Sequence, residues 1–138
     1  MICIYGKEDS MEYTIQLDEA AGLIFARATG AWESEKDNLM VDQLLQLVDS
    51  SEVHKVLLDI RELHFDLSII QIFQRAKTMR EKRSKQNKIT SKAALVYTPV
   101  DSKRDADMKF FENAARNRGM PYCVFTDIEK AQQWLLAD

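Results

Sequence analysis

An aspartate closing an apolar strand is the geometry of aspartyl-phosphate chemistry. Asp59 follows Val56-Leu57-Leu58 in that position, and Thr98 closes the next apolar run, Ala93 to Tyr97. That chemistry also needs an acidic pair after the first strand and a lysine after the last. Here the first two strands pattern as a hairpin, and Thr126-Asp127 stands where the lysine belongs. Asp59 is therefore expected to anchor the following loop through backbone N–H groups, or to pair with Arg61. His54 and His64 lie at strand-end or loop positions with no Glu-x-x-His arrangement, which argues against a metal site. Cys3 and Cys123 supply neither a disulfide framework nor metal-ligand spacing, and Cys123, inside Tyr122-Cys123-Val124-Phe125, reads as a small buried hydrophobe. There is no G-x-S-x-G and no Walker-type loop, and the 4 glycines are too few for a Gly-rich phosphate cradle. No catalytic constellation, cofactor or metal is expected.

Charge placement is the sharpest anomaly. Between Arg75 and Lys92 stand Arg75, Lys77, Arg80, Lys82, Arg83, Lys85, Lys88 and Lys92, opposed only by Glu81. Such a run either forms a surface for an anionic partner or is a cationic helix C-terminus favoured by the helix dipole. The run holds no aromatic residue, which weakens single-strand binding by base stacking. A second group lies where α/β sheets bind ligands, beyond the carboxyl ends of parallel strands. Arg61, Asp66 and Ser68 fall in one loop there, and Lys103 and Arg104 open a helix in another. Cations at a helix start oppose the dipole unless they help hold an anion. These five residues form the candidate interaction or anion site.

The elements that position these groups follow from periodicity. Tyr13 to Leu17 and Leu23 to Ala28 alternate and are joined by Asp18 to Gly22, a hairpin with a longer loop; Gly30 ends the second strand. Ser34 opens a helix with Asp37 as an approximate capping-box partner, and Leu39 to Val48 give it a broad apolar face. Val56 to Ile60 is a strand of the kind covered on both faces. The next helix starts at Asp66 or Ser68, with Ser68 and Gln71 fitting a capping box and Ile69, Ile72, Phe73, Ala76 and Met79 at helical spacing. Ala93 to Tyr97 is a strand, Lys103 to Arg118 a helix with Gly119 as its left-handed stop, and Tyr122 to Phe125 the last strand. Thr126 caps a closing helix, with Glu129 at the reciprocal position.

This order, ββαβαβαβα, predicts an α/β fold: a mixed, mostly parallel sheet of about five strands with helices packed on it. The length of 138 residues suits one domain, expected over 11–138 after a flexible segment at 1–10. Composition, 46% hydrophobic and 30% charged, excludes a disordered or low-complexity chain. The formal net charge of −3 argues against a dedicated nucleic-acid binder. No apolar run has the length of a membrane span. Residues 1–10 lack the pattern of a signal peptide, so a cytoplasmic location is expected.

Lys55-Val56-Leu57-Leu58-Asp59-Ile60-Arg61 and the ending Val124-Phe125-Thr126-Asp127-Ile128-Glu129-Lys130-Ala131-Gln132-Gln133-Trp134-Leu135 resemble the SpoIIAA-like group of the STAS superfamily, whose best-known members are anti-sigma factor antagonists. The resemblance runs from about Met11 to Asp138. It implies a SpoIIAA-like fold and a non-enzymatic regulatory or protein-interaction module. In the antagonists a serine at an Asp-Ser-Ser-Gly helix start is phosphorylated. Ser68 stands near that position, but Ile69 and Ile70 replace the second Ser and the Gly, and a plain N-cap explains Ser68 as well. An unidentified protein partner is expected, and a homodimer is compatible with the sequence. The alternative is a carrier for a small anionic molecule or lipid headgroup, which requires an apolar cavity of roughly 300 Å³ or more.

Overall fold

A computed structural model describes residues 10–86, 90 and 92–137. Five strands form a mixed sheet: β1 (Glu12–Asp18), β2 (Leu23–Ala31), β3 (Lys55–His64), β4 (Lys92–Val96) and β5 (Tyr122–Phe125). The helices are α1 (Ser34–Ser50), α2 (Ile69–Arg83), α3 (Ser102–Asn117) and α4 (Ile128–Leu136). β1 pairs antiparallel with β2, and β2 to β5 are parallel. Strand order across the sheet equals chain order. Successive crossovers therefore step in one direction, and right-handed crossovers of that kind place every connecting helix on one face. The packing agrees. Met40, Leu44 and Val48 of α1, Ile72 and Ala76 of α2, and Met108, Phe111 and Ala115 of α3 share one core with Ile24, Ala26, Val56, Leu58 and Leu95.

The helix that follows β5 packs on the other face of the sheet. Ala131 and Leu135 of α4 bury Leu23, Leu57, Ala94 and Val96, flanked by Phe125 and Trp134 with ring centroids 5.7 Å apart. Lys92 holds its far end, donating from Nζ to the carbonyls of Trp134 (2.7 Å) and Ala137 (2.6 Å) and lying over the Trp134 ring. A cation at a helix C-terminus is favoured by the dipole.

Several local expectations need correction. α1 has Glu33 as its N-cap with no side-chain cap bond, because the Glu33 carboxylate accepts the Met11 N–H (3.1 Å) instead. Asp37 is not a capping-box partner. It is buried and accepts from Arg75 Nη2 at 2.9 Å. The cap of α4 is Asp127, which accepts the N–H groups of Glu129 and Lys130, rather than Thr126. β2 continues past Gly30 to Ala31, and β3 past Ile60 to His64, because Gly30 and Ala31 pair with Leu63 and His64. Gly119 does end α3, with φ of +78°. Residues 1–9 of the segment expected to be flexible, with Cys3, lie outside the described residues, while Ser10 bridges Ala31. Among the described residues, no helix is long and apolar enough to cross a membrane.

The free edge of β5 is closed by its own crossover helix. Glu112 accepts the Val124 N–H at 2.8 Å, and Arg116 Nε donates to the Tyr122 carbonyl at 2.9 Å. Two groups that would template another strand are thus occupied. Burial alone would raise the Glu112 carboxyl, but the Val124 N–H and Lys109 outweigh it and hold its pKa below the usual value. A depressed carboxylate stabilises the fold fully above its unfolded pKa, and the contribution disappears as pH falls through the folded pKa. Glu112→Gln should therefore lower unfolding free energy by about 1–3 kcal/mol at neutral pH. Urea titrations should show the gap between variant and wild type shrinking below roughly pH 4.5; a gap that widens on acidification would reverse the assignment.

Candidate interaction site

The carboxyl ends of the strands carry two separate constellations. The first lies on the α4 side of the sheet. β3 takes one extra residue against β2, since Arg27 is opposite Asp59 but Thr29 is opposite Glu62. Within this bulge Asp59 is buried, and Arg61 wraps onto it. The Arg61 backbone N and Nε both donate to Oδ1 (3.0 Å each), and Nη2 donates to Oδ2 (2.8 Å). Burial by itself would raise the Asp59 pKa, but the bonds and charge of Arg61, helped by Arg27, lower it. Arg27 in turn pairs with Glu62. Of the two uses expected of it, Asp59 is the partner of Arg61; the backbone N–H it accepts is that of Arg61 within β3 and not one of a following loop. Thr98 Oγ1 donates to the Arg61 carbonyl (3.1 Å), tying the end of β4 to the bulge.

The second constellation is the loop from Phe65 to Ser68 with the start of α3. Arg104 stacks on Phe65, its Cζ 3.9 Å from the ring centroid, and Nη2 donates to the Phe65 carbonyl (3.0 Å). Lys103 Nζ bonds Asp66 (3.1 Å) and Asp107 (2.8 Å). Asp107 first and Asp66 second raise the Lys103 pKa. Asp101 caps the helix by accepting the Arg104 N–H (2.7 Å). At this helix start Lys103 therefore meets two carboxylates of the chain itself, while the Arg104 side chain is held by the ring and carbonyl of Phe65. The structure brings Asp66, Lys103 and Arg104 together, with Ser68 at the end of the same loop. Arg61 stands apart, engaged by Asp59.

Ser68 is the N-cap of α2 in a complete capping box. The Gln71 N–H donates to Ser68 Oγ (3.2 Å), and the Ser68 N–H donates to Gln71 Oε1 (2.8 Å). The first turn beyond this cap is unusually apolar on its outer side. Ile69 is 61% exposed, Ile70 72% and Phe73 41%, while only Ile72 and Ala76 of the helix are buried. Arg118 covers part of the Phe73 ring, with Cζ 4.4 Å from its centroid. Between α1 and α2 runs an open groove of about 340 Å³ bordered by Trp32, Val41, Ile70, Gln74 and Met79. Beneath the Phe65–Leu67 loop the interior holds an apolar cavity of only about 50 Å³. That is far short of the roughly 300 Å³ a carrier requires.

The basic run is divided by the fold. Arg75 is taken by Asp37, Lys82 by Asp42 (2.6 Å), and Lys92 by the end of α4. Arg80 and Arg83 reach the carbonyls of Arg118 (2.8 Å) and Gly119 (3.5 Å) at the end of α3. Lys77 and Lys85 are exposed, and Lys88 lies outside the described residues. The Asp37–Arg75 pair escaped sequence reasoning, although Asp37 shares the inward spacing of Met40, Val41, Leu44 and Val48.

Two known structures share this architecture. An anti-sigma factor antagonist from Mycobacterium paratuberculosis superposes with a TM-score of 0.58 at 13% identity, over 94% of this chain and 97% of that one. An uncharacterized DUF3478-family protein from Shewanella loihica PV-4, described as having a SpoIIAA-like fold, gives 0.56 at 17% identity, over 91% and 94%. The fold is SpoIIAA-like. No family model matches the chain, and no curated protein does.

Removing one member of the Asp37–Arg75 pair leaves the other charge poorly compensated beneath the groove. Asp37→Ala or Arg75→Ala should each cost about 3 kcal/mol. An apolar replacement of both, Asp37→Leu with Arg75→Met, should recover most of that loss. Denaturant unfolding of the three variants measures both quantities, and additive losses would show that the two side chains do not act as a pair.

Proposed function

We propose that the chain is a non-enzymatic regulatory module that acts by binding a protein partner, through the helix start of α2 and the loop leading into it. One observation carries this reading: Ile69, Ile70 and Phe73 stand exposed together immediately after a helix cap that is already complete. Folding needs none of the three at the surface, and contiguous exposed apolar groups on a water-soluble surface mark interaction sites. The SpoIIAA-like fold supports the reading, since the Mycobacterium protein it resembles is an anti-sigma factor antagonist. The surface expected at Arg61 to Ser68 is accordingly centred on Asp66 to Phe73, with Arg61 lying outside it.

Affinity capture from cells that naturally contain the chain tests the assignment. A protein retained by the wild type should be reduced at least about tenfold by Ile70→Asp, since a buried charge at an interface costs several kcal/mol. It should be retained by Leu136→Asp, which alters an exposed apolar side chain on α4. Loss in both variants, or in neither, would overturn the site. The serine is tested separately. Ser68→Ala should cost about 1 kcal/mol of stability, whereas Ser68→Asp keeps a capping oxygen. If Ser68 is a phosphorylation switch, Ser68→Asp alone weakens partner binding; equal affinity in the two variants assigns Ser68 to capping only.

A further inference from the structure

Resting on that reading, we propose that the partner presents an amphipathic helix with an acidic first half and an apolar second half, lying antiparallel along α2. The outer ridge of α2 has two zones. Ile70, Phe73, Lys77 and Arg80 follow one another at spacings of three and four, so they form a single stripe along the helix. Its first part is apolar, with Ile69 beside it. Its second part is cationic, with Arg83, Lys85 and Arg118 beside it and Glu81 as the acidic member.

The ion pairs among the described residues leave this second zone charged. Asp37 and Asp42 neutralise Arg75 and Lys82 on the α1 side. Among the described residues, Lys77, Arg80, Arg83, Lys85 and Arg118 form no ion pair; Arg80, Arg83 and Arg118 donate to backbone carbonyls. Those carbonyls orient the guanidinium groups without cancelling their charge. The stripe thus offers apolar anchoring at one end and positive potential at the other.

Shape and charge together select the occupant. A ridge of 15 residues is about 22 Å long, the length of four helical turns in a partner. Apolar anchors at helical spacing suit helix-on-helix docking, and the open groove beside Ile70 gives the anchors somewhere to enter. Acidic residues are most favourable in the first turns of a helix. A partner helix whose acidic first half faces Lys77 to Lys85 brings its apolar second half over Ile69, Ile70 and Phe73, which fixes the antiparallel orientation. An anionic membrane would be met differently: cations would flank the apolar groups along the whole helix, rather than succeed them end to end.

A displayed library of helical peptides about four turns long tests this, selected in parallel on the wild type, on Lys77→Glu with Lys85→Glu, and on Ile70→Asp. Both lysines are exposed and form no ion pair among the described residues, so the charge-reversed protein should fold, and circular dichroism verifies this. The wild-type pool should be enriched at least about fivefold in Glu and Asp in the first half, with Leu or aromatic residues in the second. The charge-reversed protein should prefer Lys and Arg in the same half, and Ile70→Asp should enrich nothing. Pools of identical charge from wild type and reversed protein would overturn the acidic helix. They would leave the docking surface standing if Ile70→Asp still fails to select. Flotation with phosphatidylserine vesicles completes the test: wild-type binding that the lysine reversals abolish, with no peptide enrichment, would replace the helix by a membrane surface.

Discussion

Strand order that equals chain order, combined with right-handed crossovers, is the constraint from which the remaining architecture derives. It places α1, α2 and α3 side by side on one face and leaves the other to α4. α2 is thereby the middle helix of a three-helix layer. Ile72 and Ala76 reach the sheet, Arg75 turns toward α1, and Arg80 and Arg83 turn toward α3. The outer ridge of α2 faces away from the sheet and both neighbours at Ile69, Ile70 and Lys77, and it carries the exposed apolar groups. On the opposite face α4 is too short to cover the whole sheet, and the uncovered ends of β2 and β3 carry Arg27, Asp59, Arg61 and Glu62 in mutual pairs.

The same constraint decides which charges are structural. Eight cations in one stretch look alike in sequence, yet neighbours give them different tasks. Arg75 compensates a carboxylate buried between α1 and α2, whose isolation would be costly. Lys92, displaced onto β4, meets the C-terminal carbonyls of α4, where a cation is favourable. Lys82 and Asp42 form a partly exposed pair of the kind that contributes little to stability. Of the described cations in the stretch, these assignments leave Lys77, Arg80, Arg83 and Lys85 without an ion pair, and Arg118 adds its charge beside them.

Element order and sheet composition were legible in the sequence because each strand and helix has its own period and its own stop. The Ser68–Gln71 box and the turn at Gly119 were legible for the same local reason: both depend on residues within four positions of one another. Local rules mislead where a distant partner intervenes. Asp37 satisfies the spacing of a capping box behind Ser34, but its carboxylate is drawn inward by Arg75, a helix away. Arg61 comes after an apolar run that ends at Ile60, yet it remains in the strand because β2 offers pairing partners as far as Ala31. At Thr126-Asp127 two adjacent residues can cap a helix, and the choice of Asp127 rests on a one-residue difference in helix start that periodicity does not resolve.

The candidate site was half legible for a related reason. Charge runs and strand ends point to Lys103, Arg104, Asp66 and Ser68, and the fold does gather these around one loop. Pattern alone gives no sign that the donors there are already matched by Asp66, Asp107, Asp101 and the Phe65 carbonyl. The exposed trio was hidden by the opposite problem. At helical spacing, Ile69 and Phe73 read as part of the face that Ile72 and Ala76 bury, because an apolar stripe broader than one face looks the same as a well-covered one. Only the crossing of α2 between its two neighbours separates the residues that reach the sheet from those that cannot. A stripe too wide for its own core is therefore informative: its surplus width is surface that folding does not require.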